Sequence, residues 1–409
     1  NPTHCWSHNK GDLCPECGEK GPAQVIADLN NLYLEGISMG FGKINRSIQG
    51  ATDKPRLIVW DWGWRDDIAQ VVLPALKNDS LSFMSVSEWD LPIQRGGVKS
   101  TVGEYSISSI GPGPRAGRHW NIAKENKITC VAKIQANNSW EIGAIPYIPA
   151  LYNVGEHISK LRNSGVEGLM LGWSLGCYPS PNLELVNLLG QNKEMSVEQA
   201  ISKVATNRYG DFGPLVMKAW KLFSDSFKEF PYHVGVIYNA PLQAGPSNLL
   251  WAKQTNYKST MVGLPYDDLT SWRSIYPEDI FINQLEKVCK GFFNGLALLK
   301  TETKNKEITK ELQQEINVAE SLYLHYMSVI NQCKFILLRG ELLIEGRVDI
   351  KEKIREILIL EKDTALRLAE IQSSDSRIGF EASNHYFYVS QDLYEKALNC
   401  SELMELYAS

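Results

Sequence analysis

Four short apolar segments recur in the first part of the chain, and each is followed by a loop of polar and aromatic residues. They are predicted as strands at residues 56–60, 81–87, 128–135 and 168–173. Helices are predicted between strands at residues 66–77 and 153–163. Strands that alternate with helices in this way predict parallel β/α units. In such folds the catalytic groups lie on the loops after the carboxyl ends of the strands.

Three of the four strand ends carry a carboxylate. These are the candidate catalytic residues Asp61, Glu88 and Glu141. Glycoside hydrolysis uses two carboxyl groups, about 5–5.5 Å apart in retaining enzymes and about 6.5–9.5 Å apart in inverting ones. A carboxyl group beside indole rings can have a raised pKa and so hold a proton near neutral pH. The alternative is that each carboxylate caps a following helix or orders its own loop. We rank Glu88 and Glu141 above Asp61.

All four strand ends also carry tryptophan. In the first, LIVWDWGW at residues 57–64, one carboxylate stands among three indoles. Aromatic faces beside an acid are a common way to hold a sugar ring. The predicted stacking residues are Trp60, Trp62, Trp89, Trp140 and Trp173, and the predicted hydrogen-bonding residues are Asn137, Asn138, Arg115 and Arg118. Core packing and loop order are the alternatives for each of them.

Only four strands are predicted, whereas a closed barrel needs about eight. We therefore predict an α/β fold of the β/α (TIM-type) barrel class, with only the C-terminal half of the barrel in this chain and the first half upstream of Asn1. An open sheet is the alternative. A Gly/Pro/Ser-rich segment, residues 96–118, separates the second and third strands.

The second half of the chain is predicted to be all-α. Helical periodicity covers residues 197–209, 214–230, 279–299, 306–339 and 351–373. One stripe with spacings of three and four contains Ile308, Leu312, Ile316, Ala319, Tyr323 and Tyr326. We predict a barrel domain at residues 1–190 and a helical domain at residues 191–409. Loops of the helical domain, with Asp268 and His385 as candidate binding residues, are predicted to close the pocket; hydrogen bonding between the domains is the alternative.

A cysteine cluster near the start of the chain is a candidate metal site. Its predicted ligands are Cys5, Cys14, Cys17 and His8, with His4 adjacent. Three thiolates and one imidazole can bind zinc tetrahedrally, and we expect such a zinc to be structural, since no cofactor is predicted for catalysis. A disulfide and reduced thiols are the alternatives. The other cysteines lie in apolar segments, as buried free thiols usually do.

Charge and hydropathy exclude some classes of partner. The net charge is −5 and no basic stripe with interleaved aromatic residues occurs, so nucleic acid is not a predicted partner. No apolar run approaches the roughly 18 residues of a membrane span. The predicted partner is a carbohydrate, and the oligomeric state is not predicted. The sequence does not determine localisation, although an external glycan would favour the periplasm or secretion.

Several motifs together resemble a known family. They are SEWDLPIQRGGV, VGEYS, GPGPRAG, NNSWE, GWSLGCYPSPNLE and RIGFEASNHYFY. They resemble a family of largely uncharacterised bacterial proteins described as glycoside-hydrolase-like and, more distantly, β/α-barrel β-hexosaminidases and α-glucuronidases with a helical C-terminal domain. The barrel hexosaminidases carry an Asp-Glu pair at the end of the fourth strand. No strand end carries that pair here, so the equivalent position would fall upstream of Asn1.

The sequence thus predicts a glycosidase that acts on a bacterial, plant or host glycan in a tryptophan-lined pocket. One carboxyl group would protonate the glycosidic oxygen while the other attacks the sugar, activates water or steadies an assisting substrate group. The main alternative is a non-catalytic glycan-binding protein, or a fragment that needs an upstream half for activity. A metal-dependent hydrolase that uses the cysteine cluster is the third.

Overall fold

The structure is a computed structural model that describes residues 15–45, 56–77, 80–173, 178–258, 265–381 and 385–408. Up to residue 170 the elements are α1 (Pro15–Asn45), β1 (Leu57–Trp60), α2 (Asp66–Ala75), β2 (Leu81–Val86), β3 (Pro92–Arg95), β4 (Val98–Thr101), α3 (Pro114–Glu125), β5 (Thr129–Lys133), α4 (Leu151–Asn163) and β6 (Gly168–Met170).

The remainder of the described chain is almost entirely helical. Its elements are α5 (Pro181–Gln191), α6 (Val197–Tyr209), α7 (Gly213–Phe227), α8 (Val234–Ile237), α9 (Ala240–Ala244), α10 (Leu269–Arg273), α11 (Glu278–Thr303), α12 (Lys310–Glu345), α13 (Lys351–Ser374), β7 (Phe380–Glu381), β8 (His385–Tyr386) and α14 (Ser390–Ala408), with short 3₁₀ turns after α6, α9 and α12. The predicted helical character of this region is confirmed.

Four strands form one parallel sheet in the order β1-β2-β5-β6. Leu57 pairs with Leu81, and Val131 pairs with Gly168. All six residues of β2 are buried, including Ser82 and Ser85, and a strand covered on both faces shows no strict alternation of polar and apolar residues. The predicted parallel β/α units are confirmed. The strands described here do not close into a barrel, so the barrel stays a prediction.

The chain divides into two compact units. The first contains Asn1–Leu91, Gly111–Ile134 and Lys160–Met170, and it includes the whole four-stranded sheet with α1, α2 and α3. The second contains Pro92–Ile110, Gln135–Ser159 and Leu171–Ser409. Each unit is thus assembled from separate chain segments. The predicted domain boundary at residue 190 stays a prediction.

Helix α3 places charged side chains next to the strand ends of the first unit. It begins with Pro114, whose fixed φ suits the first helical position. Its buried face includes Arg115, His119 and Trp120. The chain enters this helix through Gly113, whose N–H donates to the carbonyl of Ser87 at 2.6 Å. A Cβ on Gly113 would lie 2.5 Å from the Trp89 carbonyl oxygen, so the close approach requires glycine.

The core of the second unit lies among its long helices. Phe223 of α7 and Phe292 of α11 stack with their ring centroids 4.5 Å apart. In α12 the predicted apolar stripe faces inward, since Leu312, Ile316 and Tyr326 are all buried. A buried carboxylate on the same helix, Glu315, accepts hydrogen bonds from Tyr147, Tyr209 and Trp220 at 2.6–2.9 Å.

Two sequence expectations about the whole chain can be compared with the structure. Cys130, Cys289, Cys333 and Cys400 are buried free thiols, as predicted. Burial raises the pKa of the Cys130 thiol to about 11, so this group is poorly nucleophilic near neutral pH. Among the described helices, none combines the length and the apolar character needed to cross a membrane.

Candidate functional site

The carboxyl end of β1 turns sharply around Asp61. Its N–H donates to the Met84 carbonyl at 3.1 Å, which continues the sheet by one residue, and the N–H of Trp64 donates back to the Asp61 carbonyl at 2.9 Å. The Asp61 side chain is completely buried. This turn therefore places the carboxylate at the carboxyl edge of the sheet, where the sequence predicted it.

Three donors converge on one oxygen of Asp61. Oδ2 lies 2.7 Å from the Ser85 hydroxyl, 2.8 Å from Nδ1 of His119 and 3.1 Å from Nη1 of Arg115. The other oxygen, Oδ1, is buried and has no hydrogen-bond partner among the described residues. Oδ1 is therefore the oxygen of Asp61 that lacks a hydrogen-bond donor in the described part of the chain.

Arg115 and His119 connect this turn to helix α3. The Arg115 guanidinium donates to the carbonyls of Asp61 and Trp64, both at 2.8 Å. Burial lowers the pKa of Arg115, while the charge of Asp61 opposes that shift. Nε2 of His119 lies 3.0 Å from Oδ1 of Asp66. Burial acts to raise the pKa of Asp66, but hydrogen bonds from Arg118 and His119 outweigh it and the pKa is lowered.

Three indoles meet at the ends of β1 and β2. The ring centroids of Trp60 and Trp62 are 5.1 Å apart, and those of Trp62 and Trp89 are 5.2 Å apart. The Arg115 guanidinium lies 4.7 Å from the centroid of the Trp89 ring. All three indoles are only partly buried, whereas Trp64 is buried against Phe83. We call Trp60, Trp62 and Trp89 the indole cluster.

Glu88 and Lys133 lie at neighbouring strand ends in the same unit, and both are completely buried. The N–H of Ser87 donates to the Lys133 carbonyl at 3.0 Å, so Glu88 directly follows this contact. Burial lowers the pKa of Lys133 to about 8, and the charge of Glu88 opposes the shift. Sequence reasoning missed Lys133, although a lysine inside the apolar run ITCVAKIQ was a usable signal.

Glu141 belongs to the second unit and holds a loop. Oε1 accepts a hydrogen bond from the Ser106 hydroxyl at 2.8 Å, and Oε2 accepts from the Ile107 N–H at 2.7 Å and the Ser139 hydroxyl at 2.6 Å. The Ser108 N–H is shared between both oxygens at 3.2 and 3.3 Å. Because both oxygens are occupied, these contacts favour the loop-ordering alternative; the catalytic role of Glu141 stays a prediction.

Other predicted binding residues of the second unit also form hydrogen bonds within that unit. Nδ2 of Asn138 donates to the Ile145 carbonyl at 2.5 Å, and Nδ2 of Asn137 donates to the Tyr178 carbonyl at 2.6 Å. Asp268 caps α10 by accepting the N–H of Ser271 at 3.2 Å. Trp173, by contrast, is 55% exposed. Their roles in ligand binding stay predictions.

The predicted zinc site falls largely outside the described structure. Cys5, His8 and Cys14 lie outside the described residues, and so does the side chain of His385 in β8, while Cys17 lies in α1. Within the ranges that the structure describes, no group of three or more His, Cys, Asp or Glu side chains is placed to hold a metal ion. The zinc site therefore stays a prediction.

Comparison with known proteins bears on the fold. No protein-family model matches the chain. No curated protein matches it either. Among solved structures, a GH138 enzyme targeting pectin rhamnogalacturonan II is similar, with a TM-score of 0.51 and 11% sequence identity over 90% of this chain. This likeness concerns the fold, which is mixed α/β with a parallel sheet and a helical C-terminal region. The match covers 46% of that enzyme's chain, so the present chain spans less than half of its length.

Proposed function

We propose that this chain is a glycoside hydrolase whose substrate lies against the indole cluster. The observation that carries the proposal is the contact of three partly exposed indoles beside two completely buried carboxylates, Asp61 and Glu88. Indole faces suit the apolar face of a pyranose ring, and a carboxyl pair suits acid–base chemistry at its glycosidic bond. The fold likeness to a glycoside hydrolase supports the same function.

The two carboxyl groups would take different roles. We assign proton donation to the glycosidic oxygen to Glu88, which lies two residues after the end of β2. Asp61 would stabilise the positively charged transition state, attack the sugar or activate water, because its Oδ2 is held by Arg115 and His119 and its Oδ1 stays available.

A second candidate function is glycan binding without turnover. The observation that favours it is the set of contacts at Glu141, whose two oxygens are both occupied by loop donors. If Glu141 is an anchor, Asp61 and Glu88 are the remaining carboxylates of the predicted set. A binding protein would retain the indole cluster and need no pair at catalytic separation.

The deciding experiment is hydrolysis by the whole chain of aryl glycosides, including N-acetylhexosaminides and uronides, and of pectin rhamnogalacturonan II. The last is the target of the structurally similar enzyme and is the first polysaccharide to test. We expect turnover by the wild-type chain and its loss in Glu88→Gln and Asp61→Asn. Both variants are close in shape to the native side chains.

One variant serves as a control for turnover, and two others test glycan binding by the indole cluster. Glu395→Gln changes an exposed carboxylate of α14 and should leave turnover unchanged. Trp62→Ala should weaken glycan binding about tenfold, which corresponds to about 1.4 kcal/mol, while Trp62→Phe should lose less. Binding without turnover in the wild-type chain would support the second function. A folded wild-type chain that neither binds nor hydrolyses any of these glycans would contradict both.

A further inference from the structure

The second unit contains another pair of aromatic rings beside a carboxyl group. Sequence reasoning did not select that carboxyl group. The ring centroids of Trp140 and Tyr238 are 5.6 Å apart, and the Tyr238 hydroxyl donates a hydrogen bond to Oε2 of Glu104. All three side chains are partly exposed. We call these residues the Glu104 cluster.

Close packing fixes the position of Glu104. A Cβ on the preceding residue, Gly103, would lie 2.4 Å from Cγ2 of Val234, so this segment passes close to α8. Tyr238 follows α8 directly. The approach therefore brings Glu104 to the tyrosine that it contacts.

Glu141 fixes the position of Trp140. It directly follows Trp140 in the chain, and its carboxylate binds Ser106, Ile107 and Ser108, which lie in the same segment as Glu104. The Tyr326 hydroxyl also donates to the Glu141 carbonyl at 2.9 Å. The loop that carries the indole and the loop that carries the carboxyl group are thus joined by one buried anchor.

A buried acceptor lies on a residue that supports the same indole. Nε2 of Gln243 donates to the Trp140 carbonyl at 3.3 Å and to the Ile237 carbonyl at 2.5 Å. Its Oε1 is buried and has no hydrogen-bond partner within the described ranges. A buried amide oxygen without a donor is costly, and a ligand hydroxyl is a group that would satisfy it.

Burial also acts on the carboxyl group of Glu104. It raises the pKa of Glu104, and the hydrogen bond from Tyr238 opposes that shift. A partly buried acid beside aromatic rings is a combination found at ligand-binding sites.

We propose that the Glu104 cluster is a glycan subsite, in which a pyranose ring lies against Trp140 and Tyr238 and one sugar hydroxyl forms a hydrogen bond with the Glu104 carboxyl group. The proposal rests on the proposed function only in requiring that the ligand is a glycan. It adds a binding site that the indole cluster does not include.

The test is calorimetric titration of the whole chain with pectin rhamnogalacturonan II and with the aryl glycosides, beside Trp140→Ala and Glu104→Gln. Each substitution should weaken binding of at least one of these probes about tenfold or more. The matched control is Tyr257→Phe, since Trp251 and Tyr257 form another aromatic pair in the same unit with centroids 5.2 Å apart. That variant should bind like the wild-type chain.

A second measurement covers the case in which Trp140→Ala does not fold. In 5-fluorotryptophan-labelled protein, the fluorine signal that disappears in Trp140→Phe should shift when the glycan binds. An unshifted signal and unchanged affinity in Glu104→Gln, with Trp62→Ala weakened, would overturn this subsite and leave the proposed function intact. Absence of glycan binding by the wild-type chain would overturn both.

Discussion

Nδ1 of His119 lies 2.8 Å from Oδ2 of Asp61, and neither side chain is exposed to solvent. The second ring nitrogen, Nε2, lies 3.0 Å from Oδ1 of Asp66, whose side chain is 43% exposed. One imidazole thus connects a buried carboxylate at the sheet edge with a carboxylate at the surface. The two contacts lie in different environments, and their contributions can be separated by substitution.

We expect His119→Ala to lower the free energy of unfolding by about 2–3 kcal/mol, because it removes a donor from a buried carboxylate. His119→Asn places a donor near Nδ1 and should retain more stability than His119→Gln, whose donor lies near Nε2. Urea denaturation measures all three. Equal losses in the Asn and Gln variants would show that the contact with Asp61 is not the dominant one.

Lys133 should give stability a pH dependence in the alkaline range. Burial lowers its pKa to about 8 from an ordinary value of 10.5. Between these values the unfolded chain binds more protons than the folded chain, so the free energy of unfolding rises with pH. The rise is on the order of 3 kcal/mol, since one pKa unit corresponds to about 1.4 kcal/mol. Urea denaturation across this interval should show a smaller rise in Lys133→Met; identical slopes would contradict the assignment.

Glu141→Gln should destabilise the second unit. The amide would turn an NH₂ group toward donors such as the Ile107 N–H, and the charge-assisted hydrogen bonds would be lost. We expect a loss of about 2–3 kcal/mol in the free energy of unfolding. Any glycosidase activity, measured below the unfolding transition, should survive. Lost turnover in a variant of wild-type stability would instead restore Glu141 as a catalytic carboxylate.

Gly113→Ala should be destabilising because its Cβ would lie 2.5 Å from the Trp89 carbonyl oxygen. Overpacking of this kind costs about 1–3 kcal/mol. Gly117→Ala is the control, since that glycine lies in the first turns of the helix that follows Gly113 and has open space around it. It should be neutral or stabilising by up to about 1 kcal/mol. Thermal unfolding compares the two variants, and equal effects would contradict the close approach.

The central strands of the parallel sheet could be predicted from sequence because they are covered on both faces and are therefore mainly apolar. Strands β1, β2 and β5 each begin within two residues of their predicted start. The long helices α11, α12 and α13 were predicted from their periodicity, because the apolar residues that recur at helical spacing are the buried ones. In these elements the spacing of apolar residues in the sequence reflects which side chains are buried.

Helix α3 and the hairpin β3–β4 were not predicted. The buried face of α3 includes Arg115 and His119, so hydropathy gives it no apolar stripe. The hairpin strands are exposed or only partly buried at every position, and β-propensity alone is a weak signal. Whether a polar side chain is buried depends on its hydrogen-bonding partners, which lie far away along the chain. A local sequence pattern does not contain this information.

The candidate site was predicted in part. The sequence selected Asp61, Glu88 and the three indoles because strand ends are recognisable positions. It did not select His119, Lys133 or Glu104, because their importance comes from contacts: His119 with two carboxylates, Lys133 with the charge of Glu88, and Glu104 with Tyr238.

The first unit is built from three separate chain segments, and this has a consequence for its folding. Strand β2 pairs with β5, and β5 pairs with β6. Other elements lie between these strands along the chain. Parallel pairing of this kind closes long loops and is slow. Until it forms, the four apolar residues of β2 stay uncovered and prone to aggregation, so we expect refolding yield to fall with protein concentration.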